Sequence, residues 1–358
     1  MTFTLDEISI LCVYSAMAVY AIAFIAYAID LARRGAAAAK AADASADAAP
    51  VADAARVGVG AAAGARAAAG AAGASAMSDA TDGGAGRRGR WQRATELGAT
   101  VEYGRSPALR VAVAMTVVAW LLHLAGAILR GIAAERVPWA NMYEFALTGT
   151  LLVTTVYLVV IVTSKQDLRF LGTFISGLVL VLLGVATVNF YVSVVPLPPA
   201  LQSAWLIIHV FVASAAVGVF ALGFALSVVQ LMQARREAIV ASAESVKRSF
   251  LATLPSSNAL ENLAYRLNIV GFILWTFTLI AGAVWAEKAW GRYWGWDTKE
   301  VWTFIIWVVY AGYIHARATR GWRGSRSAWL AIIGFSTVLF NFTVVNLFFK
   351  GLHAYSGL

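Results

Sequence analysis

Eight long apolar stretches constrain the fold of this chain more than any other feature of its sequence. Each is roughly 20 residues long, the length that an α-helix needs to cross the hydrocarbon core of a bilayer. The 358 residues are 60% hydrophobic and only 13% charged, too few polar residues to cover a soluble fold. We therefore predict an all-α polytopic membrane helix bundle with about eight transmembrane helices. The predicted spans lie near residues 7–32, 107–130, 143–163, 170–190, 204–232, 267–286, 301–318 and 327–348.

The basic residues are distributed unequally between the two sides of the predicted bundle. The chain carries 28 Lys and Arg against 19 Asp and Glu, a net charge of +9. If the N-terminus lies outside and the spans alternate, most of the Lys and Arg fall inside, which predicts that both termini are outside. The charge thus reports orientation, and we predict no nucleic-acid partner. The exceptions that fall outside are Arg130, Arg136, Lys288, Arg292, Lys299 and Lys350.

Residues 35–106 differ in composition from the rest of the chain. This stretch is rich in Ala, Gly, Ser and Asp and has too little varied apolar surface to form a packed domain. We predict a disordered cytoplasmic linker here, between an N-terminal transmembrane helix (1–34) and a seven-helix membrane core (107–358). Within the core we expect a long inside loop, 233–266, that lies along the membrane surface.

The chain has a single cysteine, Cys12, in the first predicted span. It therefore forms neither an internal disulfide nor a C-x-x-C redox pair. Any thiol chemistry associated with this protein must belong to a partner or a substrate.

Tryptophans are concentrated in residues 285–302, which we predict to form a loop on the outside and call the tryptophan-rich segment. An aromatic belt at the membrane interface explains one or two tryptophans at a helix end, but this density indicates a flat apolar surface for a planar macrocycle. Asp297 and Glu300 also have the spacing of a capping box that starts the next helix. The residues that we predict to bind a cofactor are Trp285, Trp290, Trp294, Trp296, Asp297 and Trp302.

The tryptophan-rich segment contains the run W-G-R-Y-W-G-W-D-T-K-E-V-W, which resembles the signature of the haem-handling membrane proteins of cytochrome c maturation. Two further stretches resemble motifs of the CcsA/ResC family of the cytochrome c synthesis pathway. They read P-W-A-N-M-Y-E-F (138–145) and N-L-F-F-K-G-L-H-A-Y (346–355). The resemblance covers about 107–358. The family commonly has Pro at the position of Thr298, and both residues suit the first turn of a helix.

Two histidines lie on the same predicted side as the tryptophans. His209 is near the outer end of the fifth span, and His353 follows the last span. Alone, each is better explained as a hydrogen-bonded helix-end residue or a solvated tail residue. Their shared side and the family resemblance instead imply that both ligate the iron of a haem, one on each face.

The other two histidines lie within predicted spans. His315 is roughly 20 Å from the outer end of its span, and an ionisable residue at that depth indicates function. The resemblance implies that it binds haem within the membrane and that a histidine of another subunit is the second ligand. His123 lies only about 10 Å deep, so it matches His315 poorly as a ligand of the same iron. A hydrogen bond across helices is its favoured role.

The resemblance implies a cytochrome c biogenesis subunit that binds haem b through two histidines and delivers it to the extracytoplasmic face. There the haem would be presented for thioether attachment to an apocytochrome c that carries a C-x-x-C-H segment. This implies a component of a holocytochrome c synthase in the plasma membrane. Its expected partners are a second membrane subunit of the CcsB/ResB type and a separate thiol-reducing protein. Asp297, Lys299 and Glu300 either contact the haem propionates or the peptide, or only cap and solvate the helix start.

Other classes of membrane protein are alternatives. A haem transporter or chaperone without attachment activity uses the same residues. A b-type haem quinone oxidoreductase subunit usually places its ligand pairs on one helix, and no predicted span contains two histidines. A small-molecule transporter usually shows internal repeats and polar residues at the membrane midplane, and we find neither in the sequence.

Overall fold

The computed structural model describes residues 4–47, 106–196, 199–242, 249–319, 321–349 and 351–353. The described part of the chain is almost entirely helical and contains no β-strand. A π-helical turn (Asn341–Val345) and a short helical turn (Asn346–Phe348) follow the last long helix. The long helices are α1 (Leu5–Asp47), α2 (Pro107–Ala134), α3 (Met142–Thr163), α4 (Gly172–Asn189), α5 (Ala204–Ala241), α6 (Ser257–Trp290), α7 (Thr298–Thr319) and α8 (Ser325–Phe340).

Among the described residues, seven helices are long and apolar enough to cross a membrane. They are α1 to α6 and the segment Ser325–Phe348, which begins with α8. The predicted all-α polytopic bundle is therefore confirmed. The remaining predicted span, 301–318, corresponds to α7, whose 22 residues are long enough to cross but less apolar. His315, Arg317 and the aromatic residues of α7 account for its lower hydropathy. The orientation with both termini outside stays a prediction.

The chain divides into two units. The first comprises Met1–Asp30, Arg105–Ser245 and Pro255–Leu358. In its core, α5 and α6 form the most extensive helix pair, α3 and α8 also pack against α5, and α7 contacts α6 and α8. The second comprises Leu31–Gly104 and Val246–Leu254. Its described part consists of the remainder of α1 and a 3₁₀ turn, Phe250–Thr253.

Glycines allow α5 and α6 to approach closely. A Cβ atom on Gly223 would lie 2.2 Å from the side-chain oxygen of Asn268, and one on Gly271 would lie 2.7 Å from the ring of Phe220. Small residues at helix contacts are a common device in membrane proteins, where dispersion contacts replace the hydrophobic effect as the driving force. This close pair is the scaffold from which His209 and Trp285 project.

A buried ionic cluster joins the adjacent ends of α1, α2 and α3. The fully buried guanidinium of Arg130 contacts the Glu144 carboxylate at 2.9 Å and that of Asp6 at 2.6 Å, and Arg136 contacts Glu144 at 2.7 Å. Glu144 also accepts the backbone N–H of Ala140 at 2.9 Å. Both Glu144 oxygens accept hydrogen bonds, so the buried charges compensate each other. The cluster therefore holds the adjacent ends of the three helices together.

Several predicted boundaries are corrected by the structure. Helix α1 continues to Asp47, so the predicted disordered linker (35–106) is helical at its start, as its alanine content favours. Residues 48–105 of that linker lie outside the described residues. The inside loop 233–266 is largely absorbed by the ends of two long helices, because α5 continues to Ala241 and α6 already begins at Ser257.

Candidate functional site

A cavity of about 220 Å³ lies at the end of the first unit where α6 ends and α7 begins, which we call the tryptophan end. It reaches along α5 from Leu206 to Ala221, a distance of about 22 Å at the rise of an α-helix. Apolar side chains of α3, α5, α6 and α8 form most of its lining. The polar side chains that line it include Asn141, Thr150, His209, Ser214, Thr278, Lys299, Asn341, Asn346 and His353.

His209 enters this cavity from α5 with a defined orientation. Its Nδ1 lies 3.0 Å from the backbone oxygen of Thr278 on α6. Because a carbonyl only accepts, Nδ1 carries the hydrogen and donates it, which leaves the Nε2 lone pair free. Gly282 makes room for the ring, since a Cβ atom there would lie 2.7 Å from Cε1 of His209. An imidazole held in this way has the arrangement usual for a metal ligand.

His353 lines the same cavity and is held by a carboxylate. Its Nδ1 donates to Oδ2 of Asp297 at 2.7 Å, and the backbone N–H of Leu352 donates to Oδ1 at 3.1 Å. The hydrogen bond from His353 holds the pKa of the Asp297 carboxyl below its usual value, although partial burial opposes this shift. A Cβ atom on Gly351 would lie only 2.0 Å from Oδ1 of Asp297, so this close approach requires glycine. In the neutral imidazole of each cavity histidine, Nε2 is therefore the acceptor atom, and it has no hydrogen-bond partner among the described residues.

Trp285 connects the two histidines. Its buried indole is stacked on His209 with 5.8 Å between ring centroids and meets His353 edge to face at 5.4 Å. The ring centroid of Trp290 lies 4.8 Å from the ring centroids of both Trp285 and His353. Trp285 and Trp290 belong to the last turns of α6, whereas we expected them on a loop. The helix therefore fixes their positions relative to each other.

The other predicted tryptophans occupy different surroundings. Trp294 lines the cavity, while Trp296 is 73% exposed and meets Trp294 edge to face at 5.8 Å. Trp302 packs against Phe340 of α8 at 4.2 Å and does not line the cavity. The tryptophan-rich segment is therefore not one flat shelf. Its indoles line the cavity, extend an exposed surface or support the helix behind it.

Glu300 organises the backbone before α7. Its Oε2 accepts the backbone N–H of Gly295 at 2.8 Å and that of Asp297 at 3.0 Å. The second bond is the reach-back that a capping box predicts. Between these two residues, Trp296 has a φ of +58°, a left-handed conformation that is rare for a bulky residue. The Glu300 carboxylate thus holds a strained turn, a feature that clusters at functional sites.

His315 and His123 lie away from the cavity. His315 is exposed on the surface of α7. His123 is completely buried, with Nε2 2.8 Å from the backbone oxygen of Leu147 and Nδ1 3.4 Å from the hydroxyl of Tyr20. Both of its nitrogens are thus engaged across helices, as the sequence favoured. The structure does not bring His123 and His315 together.

The cavity residues that were not predicted as site residues include Asn141, Trp139 and Asn346. Asn141 caps α3 by accepting the N–H of Glu144 at 2.9 Å, and its neighbour Trp139 also lines the cavity. Both belong to the 138–145 stretch, whose resemblance to a family motif was the available signal. The third, Asn346, accepts from Lys299 at 2.6 Å. It begins the 346–355 stretch, which also resembles a family motif, and it follows a π-helical turn that no periodicity in the sequence indicated.

The sequence model of the family described as cytochrome C assembly protein matches residues 139–353, which include every predicted site residue. The chain belongs to this family. The cytochrome c biogenesis protein CcsA of Guillardia theta is 36% identical over 244 residues, which are 64% of this chain and 80% of that protein. CcsA of Prochlorococcus marinus is 40% identical over 177 residues, 44% of this chain and 56% of that protein. The chain is thus a multi-pass membrane protein of the CcsA type, with a role in cytochrome c maturation.

A solved structure shares the fold of this CcsA-type chain. The cytochrome c haem lyase CcmF superposes with a TM-score of 0.54 at 14% sequence identity. The superposition covers 96% of this chain and 47% of that protein, so the chain spans about half its length. The likeness shows a common helical arrangement.

Proposed function

We propose that this chain binds haem at the tryptophan end with His209 and His353 as the two axial ligands. The observation that carries the proposal is the matched orientation of the two imidazoles. Each donates its Nδ1–H to a fixed acceptor, Thr278 or Asp297, so each imidazole in its neutral form offers the lone pair of Nε2 beside the same apolar cavity. Two neutral imidazoles are a common ligand pair for haem iron, and such orienting hydrogen bonds are usual for ligating histidines.

In this proposal the indoles hold the macrocycle. Trp285, Trp290 and Trp294 supply apolar faces and edges beside the histidines, and the exposed Trp296 extends that surface. Trp302 supports the site from behind through its packing on α8. Asp297 acts through His353, because its carboxylate orients that imidazole and increases its basicity as a ligand.

The bound haem b is the substrate to be delivered. We propose that it first binds His315, which lies exposed on α7 where a histidine of a second membrane subunit of the CcsB/ResB type can approach. It then reaches the tryptophan end, which we place on the extracytoplasmic face of the plasma membrane. An apocytochrome c that carries C-x-x-C-H binds there.

Attachment adds each S–H across a haem vinyl group, so that a C–S bond forms and the hydrogen passes to the other vinyl carbon. This chain positions the reactants and excludes water. Its single Cys12 supplies no dithiol, so a separate thiol-reducing protein keeps the two cysteines of the apocytochrome reduced.

The test is haem content and absorption of the complex purified with its second subunit. We expect bis-histidine haem in the wild type, and loss of this spectrum in His209→Ala and His353→Ala, with recovery when imidazole is added. The control is His123→Gln, which should leave the spectrum unchanged because His123 lies outside the cavity. Unchanged spectra in both alanine variants would end the proposal. Retained haem without covalent attachment to apocytochrome c would instead indicate a haem carrier.

A further inference from the structure

The polar residues of the cavity are gathered at its tryptophan end around Lys299. The ammonium group of Lys299 donates to the backbone oxygen of Asn341 at 2.9 Å and to Oδ1 of Asn346 at 2.6 Å. Asn341 begins the π-helical turn, a local change in helical register that is frequent at functional sites. Both acceptors are neutral, and an ammonium group has three N–H donors. One N–H donor therefore has no partner among the described residues, and Lys299 lines the cavity.

The carboxylates nearest to Lys299 in sequence are committed to other donors. Asp297 accepts from His353 and Leu352, and Glu300 accepts from two backbone N–H groups. Within the described ranges, no carboxylate oxygen forms an ion pair with Nζ of Lys299. The lysine thus lies beside an apolar cavity without a direct ion-pair contact in that part of the protein, and the nearby Asp297 carboxylate is bonded to His353 and Leu352. Such a group is stabilised when a bound anion supplies that contact.

A second donor lies at the same end of the cavity. Nδ2 of Asn141 is buried and has no hydrogen-bond partner among the described residues. Asn141 is next to Met142, whose sulfur is 3.6 Å from Nδ2 of Asn346, the residue that accepts from Lys299. A buried donor without a partner is costly, so it is a group that a ligand can satisfy.

We propose that Lys299 and Asn141 bind a carboxylate of the ligand that occupies the cavity. This rests on the proposed function, in which the ligand is haem and its carboxylates are the two propionates. A carboxylate supplies both a direct ion-pair contact for Lys299 and the acceptor that Nδ2 of Asn141 lacks among the described residues. It also sets which edge of the macrocycle enters next to α7, because the propionates occupy one edge and the vinyl groups lie away from it.

The experiment compares iron protoporphyrin with its dimethyl ester, which keeps the ring and the iron but lacks both negative charges. Binding of each is titrated by absorption for the wild type, Lys299→Met and Lys299→Gln. The last variant keeps a neutral donor for Asn341 and Asn346. The matched control is Lys288→Met, because Lys288 is 60% exposed at the end of α6 and pairs with Glu287.

We expect esterification to weaken binding about tenfold or more in the wild type and in the control. In the two Lys299 variants, esterification should weaken binding by less than about threefold, because the ammonium group that pairs with the carboxylate has been removed. If both variants still discriminate acid from ester as the wild type does, or if the wild type binds both forms equally, Lys299 only fixes the π-helical turn and the proposal is overturned. If neither porphyrin binds the wild type, the haem function itself has failed.

Discussion

The side chains of Asp297 and His353 are joined by a 2.7 Å hydrogen bond, although the two residues lie 56 positions apart. Asp297 precedes α7, whereas His353 follows the last helical turn, so this bond fixes the C-terminal segment to the tryptophan-rich segment. It also decides which imidazole nitrogen is protonated. The orientation of His353 as a ligand therefore depends on a residue of another element.

Replacing Asp297 by Ala should weaken haem binding without removing either imidazole. Outer-shell partners of ligating histidines typically contribute about 10- to 100-fold in affinity, and we expect a loss in that range. The measurement is haem retention and dissociation rate in the purified complex. Asp297→Asn is the matched control, since its side-chain oxygen still accepts from Nδ1, and its loss should be smaller. Equal retention in all three proteins would show that Asp297 does not act through His353.

The pH dependence of stability should reveal the same contact. The pKa of Asp297 is lowered in the folded protein, so the unfolded state binds the proton more readily. The contribution of this carboxylate is therefore fully present above its usual pKa of about 3.9 and is lost as pH falls through the lower folded value. We expect the difference in melting temperature between wild type and Asp297→Ala to shrink as pH falls below about 4. A difference that grows as pH falls through that range would contradict this assignment.

Gly282→Ala should displace His209. The added methyl group would lie 2.7 Å from Cε1 of the ring, so the imidazole must move away from the Thr278 oxygen. We expect loss of the bis-histidine spectrum that is reversed at least in part by exogenous imidazole. Gly312→Ala on α7 is the control, because among the described residues nothing beyond its own helical backbone lies within 4 Å of the added Cβ. It should leave the spectrum intact and stabilise the helix slightly. A normal spectrum in Gly282→Ala would show that His209 is not held as a ligand there.

Glu144→Gln should destabilise the bundle strongly. The change leaves the buried guanidinium of Arg130 with only Asp6 as its ionic partner, and breaking a buried pair typically costs about 3–5 kcal/mol. The control is Glu287→Gln, whose exposed pair with Lys288 should contribute less than about 1 kcal/mol. Thermal unfolding in detergent measures both. Similar melting temperatures for the two variants would mean that the cluster does not hold the helix ends.

Much of the fold could be predicted because hydropathy acts locally. A stretch of apolar residues must form a helix in a bilayer whatever its neighbours do, and so five of the eight spans begin and end within about four residues of their predicted positions. Boundaries were predicted less well where polar residues continue a helix beyond the apolar stretch. Arg235 and Arg236 suggested a loop, but they belong to α5, which continues to Ala241. Hydropathy does not register helical turns that extend past the hydrocarbon core.

The site was predictable in its residue types and only partly in its arrangement. The sequence alone determined the membrane bundle, the density of tryptophans and the two histidines near one face. These features follow from local composition and spacing, which do not depend on tertiary contacts. Only the tertiary structure decided that Trp285 contacts both His209 and His353, that Trp302 faces α8, and that Lys299 meets a π-helical turn. These relationships join segments that are far apart in sequence. They depend on the packing of α5, α6 and the last helical segment, and no local pattern encodes them.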